Sequence, residues 1–283
     1  MAVELKGAPV AAAIDERSRA GIAALAEKGI TPMLALVRVG EREDDIAYEN
    51  GAVKRCERVG VAYQKVTLPE NVSQETLLAE IDKLNQDASV HGVLLFLPLP
   101  KRFDGGAVRA ALAPEKDIDG VTEGSLAGVF TGSGRGFSPC TAQACIEILD
   151  YYNIDCKGKK AVVVGRSLVI GKPVSMLLLD RNATVTVCHT KTADLPAVVR
   201  GAEIVIAAAG KPKVVGSECF SAGQAVIDVG INFVDGSMCG DADFDAASKT
   251  VAAITPVPGG VGTVTTSVLV NHVVEAAKRS CGL

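Results

Sequence analysis

No stretch of the 283-residue chain approaches the roughly 18 consecutive apolar residues needed to cross a bilayer. Its opening residues, MAVELKGAPVAAAIDE, carry neither a basic leader nor an apolar core, so neither a membrane span nor a signal peptide is expected. The eight cysteines form no Cys-x-x-Cys pair, the closest two being Cys140 and Cys145, and only three histidines are present to join them. No metal site is expected from that spacing, and free thiols in a reducing, cytoplasmic compartment are the plain reading. Basic residues are not in excess: 29 Lys and Arg against 33 Asp and Glu leave a net charge of -4. That balance gives no electrostatic reason to expect nucleic acid or an anionic membrane as partner. Internal repeats and low-complexity tracts are also missing. What remains, 48% hydrophobic and 22% charged residues, is the composition of a globular protein long enough for two domains.

Short apolar runs alternate with helical periods throughout, which predicts an α/β protein with parallel sheets. In the first half MLALVRV (33–39), AYQKVTL (62–68) and GVLLFLPL (92–99) read as strands. Residues 73–86 read as a helix with Ser73 as N-cap, Glu75 in the first turn, and Leu77, Leu78, Ile81 and Leu84 on one face. A glycine-rich patch, TGSGRGFSPC (131–140), marks a domain junction, followed by a helix over 142–152. A second α/β set follows, with strands at 160–165, 183–188, 203–209, 224–230 and 252–255 and a closing helix over 263–279. The expected domains are 1–138 plus 267–283, and 139–266.

KAVVVGRSLVIGKPVSMLLLD (160–180) reads as strand, glycine loop and helix, the arrangement that sets backbone N–H groups and a helix N-terminus against a pyrophosphate. Gly165 and Gly171 are spaced G-x5-G, not GxGxxG, so a plain glycine turn of a doubly wound fold remains the alternative. The next strand ends in Cys188, His189 and Thr190, with no carboxylate to meet ribose hydroxyls, while Arg166 sits in the loop itself. A guanidinium and a hydroxyl there suit a 2'-phosphate, favouring NADP over NAD. His189 reads either as a base or as a polar residue closing a strand, and nothing near it in sequence orients its ring. In TPVPGGVGT (255–263), two prolines stiffen a loop whose glycines allow close backbone approach, to a ligand or merely within a tight turn.

In the first half, IAYENGAVKR (46–55) reads as an amphipathic helix carrying Tyr48. Its neighbours on the same face are Gly51 and Ala52. The nearest lysine, Lys54, is displaced by about 240° around the helix and reads as a solvated residue. Asp119, between Ile118 and Gly120, is a carboxylate at a loop, able to accept two donors from a planar ligand or to cap a turn, as Asp117 also can.

Seven blocks in order carry a resemblance along nearly the whole chain: PLP (98–100), PEKDIDG (114–120), PCT (139–141), VVVGRSLVIGKP (162–173), ATVTVCHTKT (183–192), IDVGIN (227–232) and TPVPGGVG (255–262). The chain resembles the bifunctional methylenetetrahydrofolate dehydrogenase/cyclohydrolase family. The resemblance implies two α/β domains with a cleft between them, the C-terminal one a Rossmann-like doubly wound parallel sheet, and a homodimer. It implies a tetrahydrofolate derivative as substrate, with Tyr48 and Asp119 as the catalytic pair, and Phe96, Leu97, Pro98, Pro258 and Gly259 completing the folate site. It further implies that Gly165, Arg166, Ser167, Thr190 and Ile231 contact NADP.

Two departures concern chemistry. The family's helix reads Tyr-x-x-x-Lys, and its glutamine before LPL hydrogen-bonds that lysine; here Ala52 and Phe96 stand in those places. Smaller departures are Ala142 and Gln143 after PCT, and GTVT at 262–265. The expectation is NADP-dependent oxidation of 5,10-methylenetetrahydrofolate to the methenyl compound without cyclohydrolase activity. Alternatives are a bifunctional enzyme with a substitute proton carrier, or a folate-binding protein without catalysis.

Overall fold

The computed structural model describes residues 1–283 and divides into two compact units. One comprises Ala13–Cys140 and Thr266–Leu283; the other comprises Met1–Ala12 and Thr141–Thr265. The division differs from the expected one chiefly at the N-terminus. Val3–Glu4 pairs in parallel with Ala253–Ile254, so the first residues become an edge strand of the C-terminal sheet. Two residues flanked by alanine and leucine carry too short a pattern to read as a strand. No helix is long and apolar enough to cross a membrane, and all eight cysteines are free thiols.

The first unit is built on three parallel strands in the order Ala62–Leu68, Met33–Val39, Gly92–Leu95. Both faces of the central strand are buried: Ala35, Val37 and Val39 join Leu77, Ile81 and Leu84 of the helix Gln74–Gln86 in one core. Ser73 caps that helix, accepting from the Thr76 N–H at 3.2 Å. The third strand ends at Leu95, four residues before its expected end. The chain turns there through Leu97 and a cis Pro98, whose ring supplies no N–H to a ladder. Asp117 forms a parallel bridge with Val93, extending the same sheet. The segments following Val39, Leu95 and Asp117 therefore leave the sheet at one edge, the carboxyl ends of its strands.

The second unit is a six-stranded parallel sheet. Its order is Val3–Glu4, Ala253–Ile254, Ala225–Asp228, Ile204–Ala207, Lys160–Val164, Thr184–Cys188. From Lys160–Val164 the chain goes first to one side and then to the other, so the strand order reverses beside that strand. Ligands bind at such a switch point, outside the carboxyl ends of the strands. A short hairpin, Asn232–Val234 with Ser237–Cys239, was not evident as a strand pair in the sequence; Asp235 and Gly236 turn it with φ of 49° and 77°.

Candidate functional site

Each unit presents its candidate residues at the carboxyl edge of its own sheet. In the first unit, Tyr48 lies in the helix Glu43–Val59, which follows the central strand. Phe96 follows the strand Gly92–Leu95, and Asp119 follows the Asp117 bridge. The topology thus gathers three residues far apart in sequence. The Tyr48 and Phe96 rings meet edge to face, with centroids 6.0 Å apart and planes at 83°. Burial raises the Tyr48 hydroxyl pKa well above its ordinary value, and the nearby Asp119 and Cys140 raise it further. Burial likewise pushes Asp119 up to about 7; the Cys140 thiol, as a hydrogen-bond donor, opposes the rise and Asp117 adds to it. Leu97 is half-buried against the core, and Pro98 is exposed.

Asp117 and Asp119 play separate parts. Asp117 is fully buried and accepts from the Val121 and Thr122 N–H groups at 3.0 and 2.8 Å. The turn-capping alternative therefore describes Asp117; Asp119, half-buried, meets the Cys140 thiol.

Ala52 has no exposed surface, Phe96 is buried, and Lys54 is exposed. The helix face that contains Ala52 holds two acids that sequence reading missed, Asp45 and Glu49. Glu49 is clamped by Arg38 Nε at 3.1 Å and Lys65 Nζ at 2.8 Å. Burial alone would raise its pKa, but the hydrogen bonds and charges of Lys65 and Arg38 outweigh that and hold it below the ordinary value. Arg42, just before the helix, donates to the Pro98 carbonyl at 2.8 Å and ties the tyrosine helix to the turn after Phe96. A signal was present: 45, 49, 52, 56 and 59 form one helical stripe, and an acid on an otherwise apolar stripe marks a buried carboxylate. Its partners, on separate strands, are not readable from one chain.

In the second unit, Gly165 leaves the strand Lys160–Val164 with φ of 136°, and a Cβ there would collide with the Ala208 carbonyl. Only glycine admits that approach between the two loops at the switch point. The loop closes when Ser167 Oγ accepts from the Ile170 N–H at 3.1 Å. The helix Gly171–Asp180 then begins without a side-chain cap. The Lys172 N–H donates to the Ser167 carbonyl at 3.0 Å and Pro173 carries none, which leaves the Gly171 N–H at the helix start for an anion. Arg166, Ser167 and Thr190 are all exposed. Exposed polar residues, the Gly171 N–H and a tight glycine loop fit a dinucleotide phosphate. The structure uses His189 to close a turn: its Nδ1 accepts from the Lys191 N–H at 3.1 Å and its backbone N–H donates to Thr192 Oγ1 at 2.8 Å.

Ile231, Pro258 and Gly259 line one cavity of about 250 Å³ together with Asp228, Met238 and Thr263. Its wall is braced by two buried acids that the sequence did not single out. Asp228 accepts from the Gly230, Asp241 and Ala242 N–H groups at 2.9–3.0 Å. Asp241 accepts from Ala209, Gly210 and Lys211. Burial raises Asp228 to about 6 despite those donors.

A doubly wound dinucleotide-type unit joined to a second α/β unit with a tyrosine–carboxylate site defines a two-domain α/β protein of the cofactor-dependent oxidoreductase type. Comparison with known proteins gives the family. Residues 5–119 match the catalytic domain of tetrahydrofolate dehydrogenase/cyclohydrolase, and residues 139–281 match its NAD(P)-binding domain. The chain belongs to the tetrahydrofolate dehydrogenase/cyclohydrolase family. It is 48% identical to the "Bifunctional protein FolD" of Carboxydothermus hydrogenoformans over 100% of both chains. With that of Clostridioides difficile it shares 47%, over 97% of this chain and 96% of the other. Among solved structures, the bifunctional FolD of Campylobacter jejuni superposes with a TM-score of 0.95 at 38% identity, covering 99% of each chain. The Trypanosoma brucei enzyme, complexed with NADP cofactor and inhibitor, gives a TM-score of 0.91 at 37% identity, covering 100% of this chain and 99% of that one.

Proposed function

We propose that the protein is a methylenetetrahydrofolate dehydrogenase that uses NADP and lacks cyclohydrolase activity. The observation that carries the second clause is the apolar pair at Ala52 and Phe96 beside Tyr48. Gly165, Arg166, Ser167, Thr190 and Ile231 would hold the dinucleotide, which supplies the hydride acceptor when bound. Asp119, ionised, accepts from the amino and ring N–H groups of the pterin. Tyr48 packs on or hydrogen-bonds the pterin and aminobenzoyl portion, with Phe96, Leu97 and Pro98 beside it and Pro258 and Gly259 completing the folate contacts.

Oxidation of the methylene compound asks for geometry, not for a proton carrier. The lone pair of a folate nitrogen expels the hydride and leaves a delocalised amidinium, so no proton moves at that step. Hydrolysis of the methenyl product requires water to be activated and a C–N bond to break, where a positioned proton carrier contributes roughly 10²–10⁴-fold. Neither a methyl group nor a phenyl ring moves a proton. Family relatives named bifunctional make the dehydrogenase half common ground and the cyclohydrolase half the open test.

Purified protein given methylenetetrahydrofolate and NADP should produce absorbance at 340 nm; no such signal would leave a folate binder without catalysis. Given the methenyl compound, it should not accelerate its decay beyond the buffer rate. Decay at a rate comparable to the dehydrogenase would restore the bifunctional reading. We also propose a homodimer, to be read from light scattering.

A further inference from the structure

Asp119 depends on a backbone that something must hold still. The peptide joining Ile118 to Asp119 is planar, so fixing the Ile118 carbonyl fixes the N–H and the Cα of Asp119. With Gly120 held against the backbone of Phe137 and Pro139 on the other side, the direction of the Cα–Cβ bond is set as well. Two side chains from distant parts of the chain converge on that carbonyl. His272 Nδ1 lies 2.8 Å from Ile118 O, and Cys140 Sγ lies 3.2 Å from the same oxygen. A carbonyl oxygen only accepts, so Nδ1 carries the proton in this contact. The histidine and the thiol are themselves 3.7 Å apart.

The histidine is in turn fixed. It is buried at 7% exposure, and its ring lies 4.9 Å from the Phe137 ring at a tilt of 33°. The Arg279 guanidinium lies over Phe137 at 4.3 Å and donates to the Gly136 carbonyl at 2.8 Å. Gly120, with φ of 68°, lets the chain after Asp119 pass directly against the backbone of Phe137 and Pro139, where a Cβ would collide. Arg279, Phe137 and His272 thus form a stack ending on the carbonyl that orients Asp119.

We infer that His272 is a positioning residue for the dehydrogenase: through the Ile118 carbonyl it sets the direction in which Asp119 presents its carboxylate to the pterin. The inference rests on the reading of Asp119 as pterin anchor. A role in packing alone makes the opposite demand on substitutions, because the ring stack and the N–H donor are separable. His272→Phe keeps the ring against Phe137 and removes the donor. His272→Asn keeps an N–H near the Nδ1 position and removes the ring.

The test is steady-state kinetics of the parent and both variants, with melting temperatures. For a lost orienting hydrogen bond, His272→Phe should raise KM for methylenetetrahydrofolate roughly fivefold to tenfold, with KM for NADP unchanged. His272→Asn should lie nearer the parent despite a lower melting temperature. The reverse order in KM, or equal values in both, overturns the positioning role. Should His272→Phe not fold, His272→Leu takes its place: close to asparagine in size but without a donor, it must raise the folate KM more than His272→Asn, and equality overturns the inference. An inactive parent overturns the dehydrogenase reading and this inference together, whereas an active parent isolates the question of His272.

Discussion

Phe96 meets Tyr48 edge to face at 6.0 Å, and Ala52, one helical turn past Tyr48, is completely buried beside it. The two positions that the family resemblance assigns to a polar pair are both apolar and buried here. Such an aromatic contact contributes about 0.5–1.5 kcal/mol beyond its buried area. The same face keeps its polar groups further back: Glu49 is neutralised by Arg38 and Lys65, and Asp45 lies 3.9 Å from Arg42.

Arg166 should decide between the two dinucleotides. It is exposed at the switch-point loop, and the strand Thr184–Cys188 ends without a carboxylate that would repel a 2'-phosphate. Arg166→Ala should raise KM for NADP about tenfold, as for a charge-assisted hydrogen bond of about 1.5–3 kcal/mol, and leave KM for NAD little changed. Equal losses with both would mean the guanidinium serves the pyrophosphate.

The parts of this molecule that were legible in the sequence are those set by local pattern. The helix after Ser73 follows from its cap and its leucine face, and the strand at 160–164 from its run of valines. The glycine loop at 165–171 follows from residues that only close backbone approach requires. What was not legible depends on distant partners. Glu49 finds Lys65 on another strand, Ile118 meets His272 across 154 residues, and Asp228 and Asp241 brace loops that no short spacing connects. The strand Val3–Glu4 exists only because Ala253–Ile254 lies beside it.

Asp119 should reveal itself by pH. Its carboxyl, raised to about 7 in the free protein, must be ionised to accept two donors, so kcat/KM for the folate should fall as pH drops below about 7. Pterin N–H groups favour the charged form, so kcat, which reports the bound complex, should fall at a lower pH. Asp119→Asn should lower kcat/KM roughly tenfold or more, the consequence of a mispaired donor worth on the order of 1–3 kcal/mol. An unchanged value would move the anchoring to a backbone group.

The same carboxylate should cost stability. A folded pKa above the unfolded one means that the folded state binds the extra proton. The penalty is therefore absent below about 4, grows as pH rises, and is complete above about 7. Asp119→Asn should raise the melting temperature at pH 8 and do so much less at pH 4, with up to about 4 kcal/mol at stake on the high side. An equal change at both pH values would mean that its charge is not the source.

Glu49 has the opposite sign. Its folded pKa is lowered, so its stabilisation is present above the ordinary carboxylate range and is lost as pH falls through the folded value. Glu49→Gln leaves Arg38, a buried cation at 8% exposure, without its counter-charge. Breaking a buried pair in this way costs about 3–5 kcal/mol. Urea unfolding at pH 7 should show that loss, and the difference between parent and variant should shrink toward pH 3.

The apolar pair at the head of the tyrosine helix supplies the last prediction. A lysine in place of Ala52 enters a position with no free surface, and overfilling a packed site costs about 1–3 kcal/mol. It would also place an ammonium beside the Phe96 ring with no acceptor from that residue. Ala52→Lys alone should therefore be destabilised and gain little activity on the methenyl compound. Phe96→Gln removes the ring, returns volume to the site and offers a side-chain carbonyl to the ammonium. The double variant should be more stable than Ala52→Lys and should accelerate methenyltetrahydrofolate decay above the buffer rate, while NADP reduction is retained. Thermal melts and parallel assays of the parent, both single variants and the double variant give the coupling between positions 52 and 96 directly. Additive effects on both stability and hydrolysis would mean that the two positions do not form a functional pair. A cyclohydrolase gain found only in the double variant would place the missing proton carrier at position 52.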